Sequence, residues 1–141
     1  MKKEQLVRHE FEPVYDKNSE ILILGSFPSV KSREQGFYYG HPQNRFWKVL
    51  AAIVQEKIPD SIEEKKEMLL RNHIAVYDVI WQCKITGSSD SSIKDVVPAD
   101  ITTIVELSKI RKIYANGKLA EKFFSKYQEK KVGIKAIGLP S

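Results

Sequence analysis

Between Gly36 and Trp47 the chain reads Gly36-Phe37-Tyr38-Tyr39-Gly40-His41-Pro42-Gln43-Asn44-Arg45-Phe46-Trp47, with five aromatics set among amide, imidazole and guanidinium groups. Such a mixture suits a flat heterocycle: rings stack on its faces, an amide or imidazole reads its edge, and helix amides orient a water or an anion. A second segment, Gly25-Ser26-Phe27-Pro28-Ser29, reads as a tight turn in which glycine permits close approach of a ligand to the backbone and proline stiffens the exit. Each residue also has a plain structural reading. Phe46 and Trp47 suit the core face of a helix, Tyr39 can pack its own loop, His41 can brace the turn before Pro42, and Asn44 can cap its own helix.

Other chemistries lack their residues. The single cysteine, Cys83, reads as a small buried side chain, and His9, His41 and His73 are too scattered for a zinc site, so no metal is expected. Neither a dinucleotide fingerprint nor a phosphate loop occurs, and no cofactor is expected. The lysines read as solvated surface, which disfavours a Schiff-base mechanism. Asp78 reads as a structural cap rather than a base.

The elements that must position these groups alternate. Glu20 to Leu24 is a short apolar run bounded by Asn18-Ser19 and Gly25, the pattern of a strand buried on both faces. Pro42 to Lys57 has helical spacing at Phe46, Val49, Leu50, Ile53 and Val54, with Pro59 as the stop. Ser61 and Glu64 form a capping box for a helix to Arg71. A strand follows from His73 to Ile80, then a long exposed loop from Gln82 to Pro98. Asp100 caps a helix through Lys109, Lys112 to Ala115 is a strand, Lys118 to Lys130 a helix, and Gly133 to Ile137 the last strand. This order predicts an α/β fold, a three-layer α/β/α sandwich with a central four-stranded parallel sheet, in which ligands bind beyond the carboxyl ends of the strands.

The chain has 141 residues, 42% of them hydrophobic, and a formal charge of +5, which fits one domain and a polyanionic partner. No apolar run approaches membrane-spanning length and Met1-Lys2-Lys3-Glu4 does not open a secretory signal, so a cytoplasmic protein with no membrane partner, acting as a monomer, is expected.

Leu24-Gly25-Ser26-Phe27-Pro28-Ser29, followed by Tyr38-Tyr39-Gly40-His41-Pro42-Gln43-Asn44-Arg45-Phe46-Trp47, closely resembles the hypoxanthine-DNA (deoxyinosine) glycosylase family of the uracil-DNA glycosylase superfamily. Gly87-Ser88-Ser89-Asp90-Ser91, Asn116-Gly117-Lys118 and Leu139-Pro140-Ser141 extend the resemblance over nearly the whole chain. It implies a monofunctional DNA glycosylase that hydrolyses the N-glycosidic bond of a deaminated base in DNA, hypoxanthine first, with Asn44 as the catalytic residue. It also implies a base pocket of Gly25, Ser26, Phe27, Pro28, Tyr39, His41 and Asn116, and DNA contacts from Ser88, Ser89, Lys118, Pro140 and Ser141. Mismatch-specific uracil and thymine glycosylases carry Asn where Phe27 stands. A ring cannot orient water by hydrogen bonding, so Phe27 is expected to stack on or wall the base. The ending at Ser141, short of where family members continue, reads as a truncation. Three alternatives stay open: a uracil or mismatch-type glycosylase, a catalytically impaired DNA-binding remnant, and a small nucleotide- or flavin-binding protein.

Overall fold

The computed structural model describes residues 3–27, 36–40, 44–87 and 89–139. In chain order its elements are β1 (Glu4–Arg8), β2 (Ile21–Gly25), α1 (Phe46–Val54), α2 (Ile62–Arg71), β3 (Ile74–Asp78), β4 (Ile80–Thr86), a 3₁₀ turn (Asp90–Ser92), β5 (Lys94–Pro98), α3 (Ile101–Glu106), β6 (Lys112–Asn116), α4 (Lys118–Tyr127), α5 (Glu129–Val132) and β7 (Ala136–Leu139).

Four strands form the expected parallel sheet in the order β3-β2-β6-β7, flanked by helices. β2 is central because it is apolar on both faces: it pairs with β3 from Ile21↔Ile74 to Gly25↔Asp78 and with β6 from Ile21↔Lys112 to Leu24↔Ala115. Leu22 and Leu24 are fully buried, each contributing about 2 kcal/mol from removal of apolar surface from water. Because all four strands are parallel, the residues that follow β2, β3 and β6 emerge on one edge of the sheet.

The segment from Gln82 to Pro98, expected as a loop, instead supplies β4 and β5, which join β1 in a three-stranded antiparallel sheet of order β1-β4-β5. Its register shifts between Ile80 and Gln82 and again between Gln82 and Lys84. Those irregularities break the two-residue alternation by which a half-buried strand is recognised. β1 is mostly exposed and polar, and it carries no core signal of its own. The expected strand from His73 to Ile80 is likewise two strands. β3 stops at Asp78, Val79 N donates to the Gly25 carbonyl at 2.8 Å, Ile80 N donates to that of Ser26 at 3.1 Å, and the chain crosses into the second sheet.

Helix ends also moved. α1 starts at Phe46, not Pro42, which lies outside the described residues, and it stops well before Pro59 because Gln55 turns left-handed at φ 59°. Half of the capping box forms: Ser61 Oγ accepts from Glu64 N at 3.1 Å, but Glu64 Oε2 accepts from Asp60 N at 2.7 Å, one residue before the N-cap. Asp100 caps α3 through Thr103 N at 3.1 Å, though the helix ends at Glu106 rather than Lys109. The helix expected through Lys130 breaks at buried Gln128, whose Nε2 donates to the Ala99 carbonyl at 2.5 Å, and β7 begins at Ala136 rather than Gly133. Among the described residues no helix is long and apolar enough to cross a membrane.

Candidate active site

Gly25 ends β2 directly opposite Asp78, the end of β3. A Cβ at Gly25 would fall inside contact distance of Asp78 Oδ1 and 3.2 Å from Tyr39 Oη, so the absent side chain makes room for a carboxylate and a phenol. Gly25 is not among the positive-φ glycines, so the demand for glycine here is spatial and not conformational. Asn116, the end of β6, donates from Nδ2 to Tyr39 Oη at 3.4 Å. Three neighbouring strand ends thus gather Gly25, Asp78 and Asn116 around one phenol, at the edge where a parallel sheet binds its ligands.

Tyr39 reaches this point through a left-handed backbone (φ 54°), a conformation that costs a bulky side chain of order 1 kcal/mol or more. Its ring is held by Phe46, stacked at 3.9 Å between centroids and 14° between planes. Burial first, and the Asp78 charge second, hold the phenol far above its ordinary titration range, against the opposing hydrogen bond from Asn116. It therefore remains a neutral hydrogen-bond donor at any physiological pH. Tyr77, one residue before Asp78, is pushed up to about 12 by burial, with Asp78, Glu12 and Asp100 adding to it.

Asp78 is not the helix or turn cap expected from sequence. Its Oδ2 lies 2.7 Å from His9 Nε2, and the two side chains are 6% and 1% exposed. His9 Nδ1 lies 2.9 Å from the Phe11 carbonyl, and its backbone N donates to Trp81 O at 2.7 Å, so β4 fixes the chain where it leaves β1. The imidazole sits edge-on to Phe11, Tyr77 and Phe27, with centroids at 4.8, 4.9 and 6.1 Å. Phe27 therefore lies beside the His9–Asp78 pair, half-buried. His9 was missed by sequence reasoning because it follows a polar N-terminal strand and lies 69 residues from its partner; no local pattern marks it.

The aromatic loop divides its labour. Phe37, Tyr38 and Trp47 are core: Tyr38 Oη donates to the Glu12 carbonyl at 2.8 Å, and Trp47 Nε1 donates to the Tyr38 carbonyl at 3.1 Å. Tyr39, with Phe46 stacked on its ring, is the aromatic that reaches the strand ends. Asn44 precedes α1 rather than standing in its first turn, and its exposed side chain accepts from Phe46 N through Oδ1 at 2.8 Å. That bond is a local turn just ahead of the helix and not the expected cap, since the N-cap residue is Arg45 and it has no side-chain cap bond. The turn orients the Asn44 side chain while leaving a second oxygen lone pair and two amide hydrogens for a water.

Ser26 is half-buried, its carbonyl tied to Ile80 N. Lys118 is exposed at the first position of α4, two residues beyond Asn116, and Lys122 and Lys126 follow it on the exposed side at four-residue spacing. Ser89 is not gathered with the cluster. Its N donates to Thr86 O at the far end of β4, roughly 20 Å along the strand from Ile80 at extended-chain rise. Pro28, His41, Ser88, Pro140 and Ser141 lie outside the described residues. Cys83 is buried, as expected. One lysine departs from the solvated-surface reading: Lys65 lies partly buried with Nζ 5.2 Å from the Trp47 ring, and desolvation lowers its pKa, but it belongs to α2 and not to the strand ends. A cleft of about 200 Å³ along α2 is lined by Glu56, Pro59, Met68 and Arg71; Glu56 there is occupied by Arg71 and Asn72, and the cleft is not the site. Among the described residues no group of acidic, histidine and cysteine side chains is arranged to hold a metal.

Residues 12–140 match the uracil DNA glycosylase superfamily. The chain belongs to that superfamily. It is similar to a Methanosarcina acetivorans protein named hypoxanthine DNA glycosylase, with 38% identity over 120 residues, 84% of this chain and 76% of the relative. A protein of the same name from Methanosarcina barkeri is 37% identical over 110 residues, covering 77% and 70% of the two chains. The fold superposes on a solution NMR structure of a proposed uracil DNA glycosylase from Methanosarcina acetivorans with a TM-score of 0.83 and 34% identity, covering 97% of this chain and 84% of the other.

Proposed function

We propose that this chain is a monofunctional DNA glycosylase that removes hypoxanthine from DNA by hydrolysis of the N-glycosidic bond. The observation that carries the reading is the convergence of Gly25, Tyr39, Asp78 and Asn116 on one sheet edge, next to Phe27 and the start of α1. The relatives' names supply the substrate class.

A flipped base enters with Phe27 and the Tyr39–Phe46 stack as its walls. The open face of Gly25 lets Asp78 and Tyr39 reach its edge, and Asn116 supports the phenol. As the glycosidic bond loosens, the sugar gains oxocarbenium character and the leaving purine gains negative charge, which the protonated Tyr39 hydroxyl stabilises. Asn44, oriented by its bond to Phe46 N, positions the water that attacks C1′. No covalent intermediate is required. Outside the pocket, Lys118, Lys122 and Lys126 offer a row of charge to phosphates, and among the described residues none of the three is in an ion pair. Ser89, farther out, would touch the backbone away from the lesion. The enzyme is proposed to act as a cytoplasmic monomer.

The test is single-turnover cleavage of duplex and single-stranded oligonucleotides bearing one deoxyinosine or one deoxyuridine, with wild-type protein and Asn44→Ala. Abasic sites from deoxyinosine, lost in the variant, support substrate and residue together. Cleavage of deoxyuridine alone replaces the substrate by uracil, a reading that the NMR neighbour favours. DNA binding without cleavage of either would mark an impaired glycosylase.

A further inference from the structure

His9 contacts Asp78 with one ring nitrogen and a carbonyl with the other, and that pairing restricts what the carboxyl group can present to a base. The Phe11 carbonyl can only accept, so Nδ1 carries a hydrogen. Nε2 faces Asp78 Oδ2 at 2.7 Å, a line that holds a single proton. That proton sits on the imidazolium facing a carboxylate or on the carboxylic acid facing a neutral imidazole. In both arrangements Oδ1 carries no hydrogen.

Oδ1 is the oxygen that lies over Gly25, with Tyr39 Oη close to the same point. Tyr39 already accepts from Asn116, so its own hydroxyl hydrogen is the one it has to give. The floor therefore presents an acceptor beside a donor. We propose that His9 is a positioning residue that locks Asp78 Oδ1 as an obligate acceptor, so that the site selects a ring N–H beside a carbonyl and rejects a ring lone pair beside an amino group. The inference rests on the glycosylase reading above and deepens it.

The two patterns distinguish a deaminated base from its parent. Hypoxanthine offers N1–H and O6, and uracil N3–H and O4. Adenine and cytosine offer a bare ring nitrogen and an amino group at the same places. An acceptor fixed opposite a bare ring nitrogen leaves two lone pairs facing one another, the arrangement by which hydrogen-bonding sites reject close analogues. Without His9 nothing fixes which oxygen of the Asp78 carboxyl group faces the base, or that this oxygen is bare, and the carboxyl group is free to turn a different hydrogen-bonding face toward the adenine ring nitrogen. Selectivity would then fall while the pocket remained.

Two substitutions separate the ring nitrogens. The side-chain amide of His9→Gln reaches the place of Nε2 and keeps a donor on Asp78 Oδ2. That of His9→Asn reaches only the place of Nδ1, keeps the Phe11 bond and abandons Asp78. The readout is the ratio of inhibition constants of free adenine and free hypoxanthine against deoxyinosine excision. His9→Gln is expected to hold the wild-type ratio within about threefold, and His9→Asn to reduce it about 10- to 100-fold, the size of one hydrogen bond to a charged group. A merely structural histidine would move melting temperature in both variants and the ratio in neither. Retention of the ratio in His9→Asn overturns the inference, as does its loss in His9→Gln, and either variant decides alone. If wild-type protein excises deoxyinosine and the ratio ignores His9, only this inference falls; if it excises no deaminated base, the glycosylase reading falls first.

Discussion

Replacing Gly25 by alanine tests the packing of the strand ends most sharply. The backbone there suits any residue, so by conformation alone Gly25→Ala would gain roughly 0.5 kcal/mol from a less flexible unfolded chain. The new methyl, however, meets Asp78 Oδ1 well inside contact and Tyr39 Oη at 3.2 Å. Oδ1 cannot swing aside cheaply, because Oδ2 is held by His9 at 2.7 Å and the imidazole by the Phe11 carbonyl at 2.9 Å. Either β2 and β3 shift apart or the buried pair is disturbed, and overpacking of this kind costs about 1 to 3 kcal/mol. With an unfolding entropy near 2.1 cal/mol/K per residue, a chain of 141 residues has about 0.3 kcal/mol/K in all, so the melting temperature should fall by roughly 3 to 10 °C. Calorimetry on Gly25→Ala, Asp78→Ala and the double variant gives the assay. In the Asp78→Ala background the methyl has room, and Gly25→Ala should then be nearly neutral. An equal loss in both backgrounds would refute the account of why glycine ends β2.

Three further outcomes follow from particular contacts. Asn44→Ala should lower single-turnover excision about 100- to 1000-fold, the scale on which one positioned polar group acts at a reacting centre; loss of its bond to Phe46 N should cost only about 1 kcal/mol in a denaturant titration. Ser61→Ala removes the cap on Glu64 N and should cost about 1 kcal/mol with excision unchanged; an activity loss there would couple α2 to the site in a way the structure does not show. Tyr77 is an acid whose titration in the folded protein is pushed up to about 12 from an ordinary 10.0. The unfolded chain therefore loses this proton first, so stability is full below about pH 10 and declines as pH rises toward 12. Tyrosinate absorbance in the native protein should lag that of the denatured chain over the same interval.

The parallel sheet was legible because β2 and β3 are buried on both faces and read as plain apolar runs. The antiparallel sheet was not, since β4 changes register twice and β1 and β5 are largely exposed. The same contrast runs through the site. Gly25, Tyr39 and Asn116 sit in short motifs that single them out as candidates, and the structure brings them together. Asp78 was visible at a strand end but misread as a cap, and His9 was invisible, because a buried hydrogen-bonded pair between distant segments leaves no periodicity in either one. Tyr38 drew attention for its company and proved to be core, its hydroxyl satisfied by the Glu12 carbonyl. Spacing can place a polar ring near a site, but only the packed chain shows which way it turns.

The central claim is hydrolytic release of hypoxanthine from DNA, and the most direct test is mass detection of the products from a duplex with one deoxyinosine. The account predicts free hypoxanthine in step with an intact strand that carries an abasic site. No released base, or a strand already broken at the lesion before alkali, would contradict it.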